Sequence, residues 1–310
     1  MVLAGGTGGA ALASGIQAVA PQDELTVIAN TADDDEFWGL LVCPDVDAVV
    51  YRLAGVFNEK AGYGIKDDTF RVLESLAEAG EDTWFRIGDR DFATHLLRGD
   101  MLRRGRSLTD ATLELCRRFG VTARVVPMTD DSVRTRFTTE RGELSFQEYF
   151  VRERLQPRLL AIYFAGKQSA RPSLEVSTAL AKADLVIIGP SNPLISIAPI
   201  LHVTGALLRR ERTVAVTPIV GGLALKGPTV EMMRALGHPP DAVEVARMYR
   251  DVAATFVLDE RDGELANRIE ALGLRTITCD TVMRDGGLAL AESVLRLSHV
   301  RIGDHHEDAD

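Results

Sequence analysis

The chain of 310 residues is short of three things, and each shortage excludes a class of protein. It has three cysteines, Cys43, Cys116 and Cys279, with no CxxC pair, so neither a disulfide framework nor a zinc site is expected and a reducing compartment fits. No apolar run approaches the length of a membrane span. Met1-Val2-Leu3-Ala4 leads straight into glycines, with neither a basic leader nor an apolar segment of signal length, and a cytoplasmic location without membrane partners is expected. Positive charge is in deficit, with 35 Lys and Arg against 45 Asp and Glu and a net charge of -10. No basic field exists to release counterions from a nucleic-acid backbone, so nucleic acid is not an expected partner. A single nucleotide stays open, because its phosphates need only a local nest of donors.

What remains is the composition of a globular enzyme or binding protein, 46% hydrophobic and 26% charged. Short β-rich runs alternate with helical patterns at both ends. Met1 to Ala4 and Leu25 to Ala29 read as parallel strands around a helix from Ala10 to Ala20. Leu185 to Ile188, Val214 to Thr217, Thr255 to Leu258 and Thr276 to Cys279 follow the same alternation. The pattern predicts an α/β, Rossmann-like, doubly wound and mostly parallel sheet built from residues 1–50 and 175–300. Residues 51–174 read as a mostly helical insertion, with Asp67 or Asp68 capping a helix to Ala79, Ser107 and Asp110 opening another to Phe119, and a hairpin about Arg141-Gly142. Residues 301–310 read as a frayed acidic tail.

Two strand-to-helix loops carry the strongest functional signal. Gly5-Gly6-Thr7-Gly8-Gly9 follows the first strand, and Gly189-Pro190-Ser191-Asn192-Pro193 follows a buried run, Leu185 to Ile188. Glycine lets backbone N–H groups approach an anion at a helix N-terminus, so a pair of such loops points to a phosphorylated ligand. The first loop is neither a Walker loop nor GxGxxG, and alone it is equally well a structural turn. Asn30-Thr31-Ala32-Asp33, at the end of the second strand, stands where such a sheet reads a ribose or base, or is a solvated acidic loop.

Asp45 and Asp47 in Pro44-Asp45-Val46-Asp47 would lie on one side of an extended backbone, able to hold Mg²⁺ or to supply a base to a hydroxyl; equally they could cap a helix. Gly88-Asp89-Arg90-Asp91 with His95 reads as a charged site loop or as the cap of a helix through Arg98.

Taken in order, Gly5 to Gly9, Asn30 to Asp34, Pro44 to Asp47, Gly88 to His95, Phe146 to Val151 and Gly189 to Pro199 closely resemble the 2-phospho-L-lactate transferases of coenzyme F420 biosynthesis, over about residues 1–300. The resemblance implies a donor made of guanosine diphosphate carrying a three-carbon acid, an acceptor that is the ribityl hydroxyl of the deazaflavin Fo, GMP as leaving group, Mg²⁺ as cofactor and a homodimer. It places Fo on Asp47 and Arg86, with Asp89 beside them. The nucleotide then falls to Gly6, Thr7, Gly8, Gly9, Asn30, Thr31, Asp33, Gly189, Pro190, Ser191, Asn192 and Pro193. Asp47 is expected to orient or deprotonate the acceptor hydroxyl, Asp45 to bind the metal with Asp33 as second ligand, and Trp84, Phe85 and Phe146 to wall the flat ring.

One departure stands out: many members carry Lys or Arg soon after the glycine loop, where this chain has Ala10-Ala11. Arg86, Arg90 or Lys226 is then expected to compensate. The competing readings are a nucleotide-sugar-binding regulatory protein with a similar glycine loop, which lacks the Pro44 to Asp47, Gly88 to His95 and Phe146 to Val151 blocks, and a nicotinamide-dependent dehydrogenase, which would need GxGxxG. Lactate, enolpyruvate and glycerate donors differ by groups that one or two pocket residues sense, so the motifs leave the acid open.

Overall fold

The computed structural model describes residues 1–21, 24–225 and 227–297. The acidic tail and Lys226 lie outside the described residues. Seven strands form one sheet in the order Arg275–Cys279, Thr255–Asp259, Thr213–Val216, Val186–Ile188, β1 (Val2–Ala4), β2 (Thr26–Ala29) and Arg124–Pro127, and every pair is parallel. This is the expected doubly wound α/β sheet.

Both faces of the sheet are covered, which is why its strands read as continuous apolar runs rather than alternating ones. Along β1, Val2 and Ala4 join one core and Leu3 the other; along β2, Val27 and Ala29 join the first and Ile28 the second. The first core is closed by helices α1 (Gly8–Val19) and α2 (Pro44–Leu53) and by the helix Leu288–Leu297. The second is closed by helices such as Ala242–Tyr249.

Strand order reverses at β1. The chain leaves it toward β2 on one side and returns at Val186–Ile188 on the other, with Val2 opposite Ile187 and Leu3 opposite Ile188. A sheet opens a crevice where its order reverses, and the two small-residue loops leave these two adjacent strands on that edge.

The expected insertion needs a correction at both ends. Helix α2 runs across residue 51 without a break, and Arg124–Pro127, assigned to the insertion, pairs with β2 as the edge strand of the main sheet. Pro127, opposite Ala29, is tolerated there because an edge strand has no further neighbour to receive its missing N–H. The helices α3 (Arg71–Glu78), α4 (Asp89–Arg103) and α5 (Leu108–Arg118) lie between them in sequence, and Leu108 and Cys116 of α5 belong to the first core. Ser107 and Asp110 form the expected capping box on α5. The hairpin is present as Arg134–Thr139 and Gly142–Ser145, with a third strand, Leu159–Ala165, on its other side.

Helix α3 begins later than expected: Phe70, with φ -131° and ψ +31°, stands at its capping position, so neither Asp67 nor Asp68 caps it. Its free N–H groups at Arg71 and Val72 donate instead to Asp89, at 3.1 and 2.9 Å, while Asp68 accepts from Arg90 and Asp91 at the start of α4, at 2.9 and 3.1 Å. Each acid caps the other's helix, satisfying donors that have no partner inside a helix.

Candidate active site

A cavity of about 1070 Å³ opens at the reversal point, between the two loops, the first turns of α2 and α4, and the aromatic segments 84–86 and 146–150. Gly6, Thr7 and Gly8 form one wall, and Pro190, Ser191 and Asn192 the facing one. Ser191 ties the loops together: its Oγ accepts from the N–H of Gly5 at 3.1 Å and of Gly9 at 3.0 Å. Gly9 and Gly189 are therefore packing residues rather than ligand contacts. A Cβ on Gly189 would stand 2.8 Å from the Gly9 Cα, and one on Gly9 would stand 2.7 Å from the Ala4 Cα. At Gly8 a Cβ would overlap the Pro190 carbonyl oxygen, so that glycine sets how closely the loops approach. What faces the cavity is the N-terminus of α1, where backbone donors and the helix dipole favour an anion.

The two acids of Pro44-Asp45-Val46-Asp47 do not share a side. Pro44 starts α2 at its first position, so the segment is the first turn of a helix, and residues two apart in a helix point in different directions. That overturns the extended reading and separates the acids. Asp45 turns to the glycine loop, where a Cβ on Gly6 would strike its Oδ1, and its Oδ2 accepts from Asn30 at 3.0 Å. Asp33 stands beside it and accepts from Thr135 at 3.3 Å. Burial, then repulsion from Asp45, pushes Asp33 well above the usual carboxylate range, and burial pushes Asp45 up to about 6. Among the described residues no cationic side chain pairs with either acid. Two buried carboxylates with hard oxygen donors and no counter-charge suit a divalent cation.

Asp47 turns the other way, to α4. Both of its oxygens accept from the fully buried Arg98, whose Nη1 reaches Oδ2 at 3.1 Å and whose Nη2 reaches Oδ1. Burial works against the Arg98 charge, but Asp47, together with Cys43 and Tyr51, outweighs it and holds the guanidinium protonated. The same Nη1 donates to His95 Nδ1 at 3.1 Å, since a guanidinium has no acceptor. The His95 proton is thereby fixed on Nε2, which faces Asp91 Oδ1 at 3.4 Å. Burial drives the His95 pKa down to about 4, so the ring is neutral near pH 7. Tyr51 of α2 donates to the same Asp91 oxygen at 2.7 Å. Asp47, Asp91 and His95 lie close enough to suggest a metal cluster, but Arg98 already supplies the positive charge inside it.

Of the expected site residues, Gly6, Thr7, Gly8, Asp33, Asp45, Asp47, Arg86, Pro190, Ser191 and Asn192 border the cavity. Gly9, Asn30, Thr31, Gly189, Pro193 and Asp89 do not. Asn30 is spent locally, donating to Asp45 and accepting from Ala32 N–H at 2.9 Å. Asp89 is spent on the helix α3 cap. Arg86 lies over the Phe70 ring, 4.3 Å from its centroid, with the cavity beside it. Of the residues expected to replace the missing basic group, Arg86 borders the cavity, Arg90 turns away and donates to the Lys66 carbonyl at 3.2 Å, and Lys226 lies outside the described residues.

Trp84, Phe85 and Phe146 border the cavity as expected. Phe150, which the sequence reading did not single out, stacks on Phe146 with centroids 4.3 Å apart and an 11° angle between planes. Tyr51 and Arg98 were missed as well. Asp91 and His95 belong to the charged loop read as a site or a helix cap, and their i, i+4 spacing is the signal that joins them.

Fold and site together define a Rossmann-like protein with a glycine-rich loop pair opposite an acid-lined, aromatic-walled recess. The chain belongs to the family described as 2-phospho-L-lactate transferase CofD, whose family model matches residues 1–294, and it is a transferase. It is 39% identical to the 2-phospho-L-lactate transferase of Methanosarcina acetivorans, covering 96% of this chain and 98% of the relative. It is equally 39% identical to the phosphoenolpyruvate transferase of Streptomyces avermitilis, covering 95% and 98%. A solved member of the UPF0052 family from Bacillus halodurans, at 17% identity and TM-score 0.60 over 95% of this chain and 97% of that one, shares the fold. No described helix is long and apolar enough to cross a membrane.

Proposed function

We propose that this transferase moves a phosphorylated three-carbon acid from a guanosine diphosphate donor to the ribityl hydroxyl of the deazaflavin Fo, releasing GMP, as a step of coenzyme F420 biosynthesis. The observation that carries the reading is the cavity's two-sided construction. One side offers backbone donors at a helix N-terminus, suited to a diphosphate, and the other offers aromatic walls, suited to a flat ring. The acceptor oxygen bonds to the phosphorus bearing the acid, the anhydride bond to GMP breaks, and its electron pair leaves on the GMP phosphate.

In this reading the N–H groups of Gly6 to Gly8 hold the donor's diphosphate, and Asn192 lines its far side. Asp45 and Asp33 hold Mg²⁺, which when bound supplies positive charge against that developing on the phosphate oxygens. Arg86 provides the basic group that Ala10-Ala11 lacks. Trp84, Phe85, Phe146 and Phe150 flank the deazaflavin and exclude water from the reacting oxygen. Catalysis of this kind rests mainly on positioning and charge.

Relatives at the same 39% identity carry both the phospholactate and the phosphoenolpyruvate name, so overall similarity does not select the acid. Incubation with Fo, Mg²⁺ and each of the lactate, enolpyruvate and glycerate donors, followed by mass spectrometry, should show one preferred phosphodiester product together with GMP. Absence of any deazaflavin phosphodiester with all three donors would refute the assignment. A thermal shift on adding Mg²⁺, lost in Asp45→Asn, tests the metal site without reference to turnover.

A further inference from the structure

We infer that Asp91, and not Asp47, receives the proton of the acceptor hydroxyl, and that Tyr51, His95 and Arg98 position it for that task. The inference rests on the transferase reading above and deepens it. Both acids border the same cavity, but they are held differently. Asp47 has its two oxygens taken by Arg98. Asp91 has one oxygen, Oδ1, fixed by the Tyr51 hydroxyl at 2.7 Å and faced by His95 Nε2 at 3.4 Å. Its Oδ2 makes no hydrogen bond among the described residues and would stand 3.6 Å from a Cβ placed on Gly64, another residue of the cavity wall. A carboxylate anchored through one oxygen, with the other open to the ligand space, is the arrangement a proton acceptor needs.

The anchoring chain has one direction. Asp47 holds Arg98, Arg98 donates to His95 Nδ1, and the imidazole therefore turns its only N–H toward Asp91. In the transfer step the hydroxyl oxygen bonds to phosphorus, the anhydride bond to GMP breaks with its electron pair leaving on GMP, and the hydroxyl proton passes to Asp91 Oδ2 and later to solvent. The groups facing Asp91 are Asp47 and Tyr51 from α2, His95 and Arg98 from its own helix, and Asp68 from the segment before α3. Burial is the largest influence, Asp47 and Asp68 add to it, and Tyr51 and Arg98 oppose it; together they bring Asp91 up to about 7. A base of that strength is matched to work near neutral pH.

The test measures kcat against pH with binding of GDP and Fo followed separately by titration. Wild-type kcat should fall as pH drops through about 7, because the proton acceptor becomes filled. Asp91→Asn should lower kcat by roughly 10²–10⁴-fold and abolish that acidic limb, with GDP and Fo affinities within about threefold. Tyr51→Phe removes a hydrogen bond to the charged form and should move the limb to higher pH while product still forms. Should Asp91→Asn fail to bind GDP, the Tyr51→Phe profile decides alone. An unshifted limb in Tyr51→Phe, or an Asp91→Asn enzyme with near-normal kcat, overturns the inference. A wild-type enzyme that makes no phosphodiester overturns the transferase reading instead, so the two failures are separable.

Discussion

The two sides of the cavity are built by opposite means. The sheet-edge side is made by subtraction: Gly6, Gly8, Gly9 and Gly189 omit side chains so that two loops and a helix N-terminus come together, and a single Ser191 hydroxyl locks them. The helical side is made by addition, with Asp47, Tyr51, His95 and Arg98 buried between α2 and α4 and Asp91 joined to them at the cavity wall. Backbone donors need no particular side chain and recognise any phosphate. A buried side-chain network is intolerant of change, because removing one member leaves another unpaired.

The contrast predicts unequal responses to substitution. The largest effect should come from Arg98→Met, which strands the buried Asp47 charge and costs about 3–5 kcal/mol of stability. Thermal denaturation should show a melting point lower by on the order of 10 °C. A loss of only a degree or two would mean that water reaches the network. Gly8→Ala comes next. Its methyl must push the Pro190 carbonyl away, costing about 1–3 kcal/mol as overpacking does, and most of that should appear as weaker GDP binding in calorimetry. Unchanged GDP affinity would break the claim that loop approach forms the anion site.

Phe150→Ala removes half of an aromatic stack and should raise KM for Fo about tenfold while leaving GDP affinity unaltered, which steady-state kinetics with each substrate varied would show. A further effect concerns stability and pH. The Asp91 carboxyl sits at about 7 in the folded chain against a model-peptide value of 3.8, so folding is penalised by its charge. The penalty is absent below pH 3.8, grows as pH rises, and is complete above about 7. Asp91→Asn escapes it, and its melting point relative to wild type should therefore be higher at pH 8 than at pH 4, by on the order of 10 °C. An equal difference at both pH values would place Asp91 in contact with water.

The same contrast explains what was legible in the sequence. Glycine loops after apolar strands announce themselves locally, so the sheet, its reversal point and the two loops that line one wall of the cavity could be read directly. The edge strand Arg124–Pro127 could not. A four-residue run ending in proline, placed after two helices, has no local mark that distinguishes a sheet edge from an insertion. The Asp45 and Asp47 pair was found, but its division of labour depends on Pro44 opening a helix rather than an extended segment. The polar network was least legible because its members come from two helices; Asp47 and Arg98 are 51 residues apart, and Tyr51 and Asp91 are 40 apart. Asp89 misled for a related reason, since an acid beside a site motif and an acid capping a distant helix look alike until the chain is folded.

The division of the cavity is tested most directly by a crystal structure with GDP and Fo bound together. It should place the diphosphate oxygens within hydrogen-bonding distance of the Gly6 to Gly8 N–H groups, the deazaflavin ring against Trp84, Phe85, Phe146 and Phe150, and the ribityl hydroxyl beside Asp91 Oδ2. A ring bound at the sheet edge, with the guanosine diphosphate between α2 and α4, would contradict it.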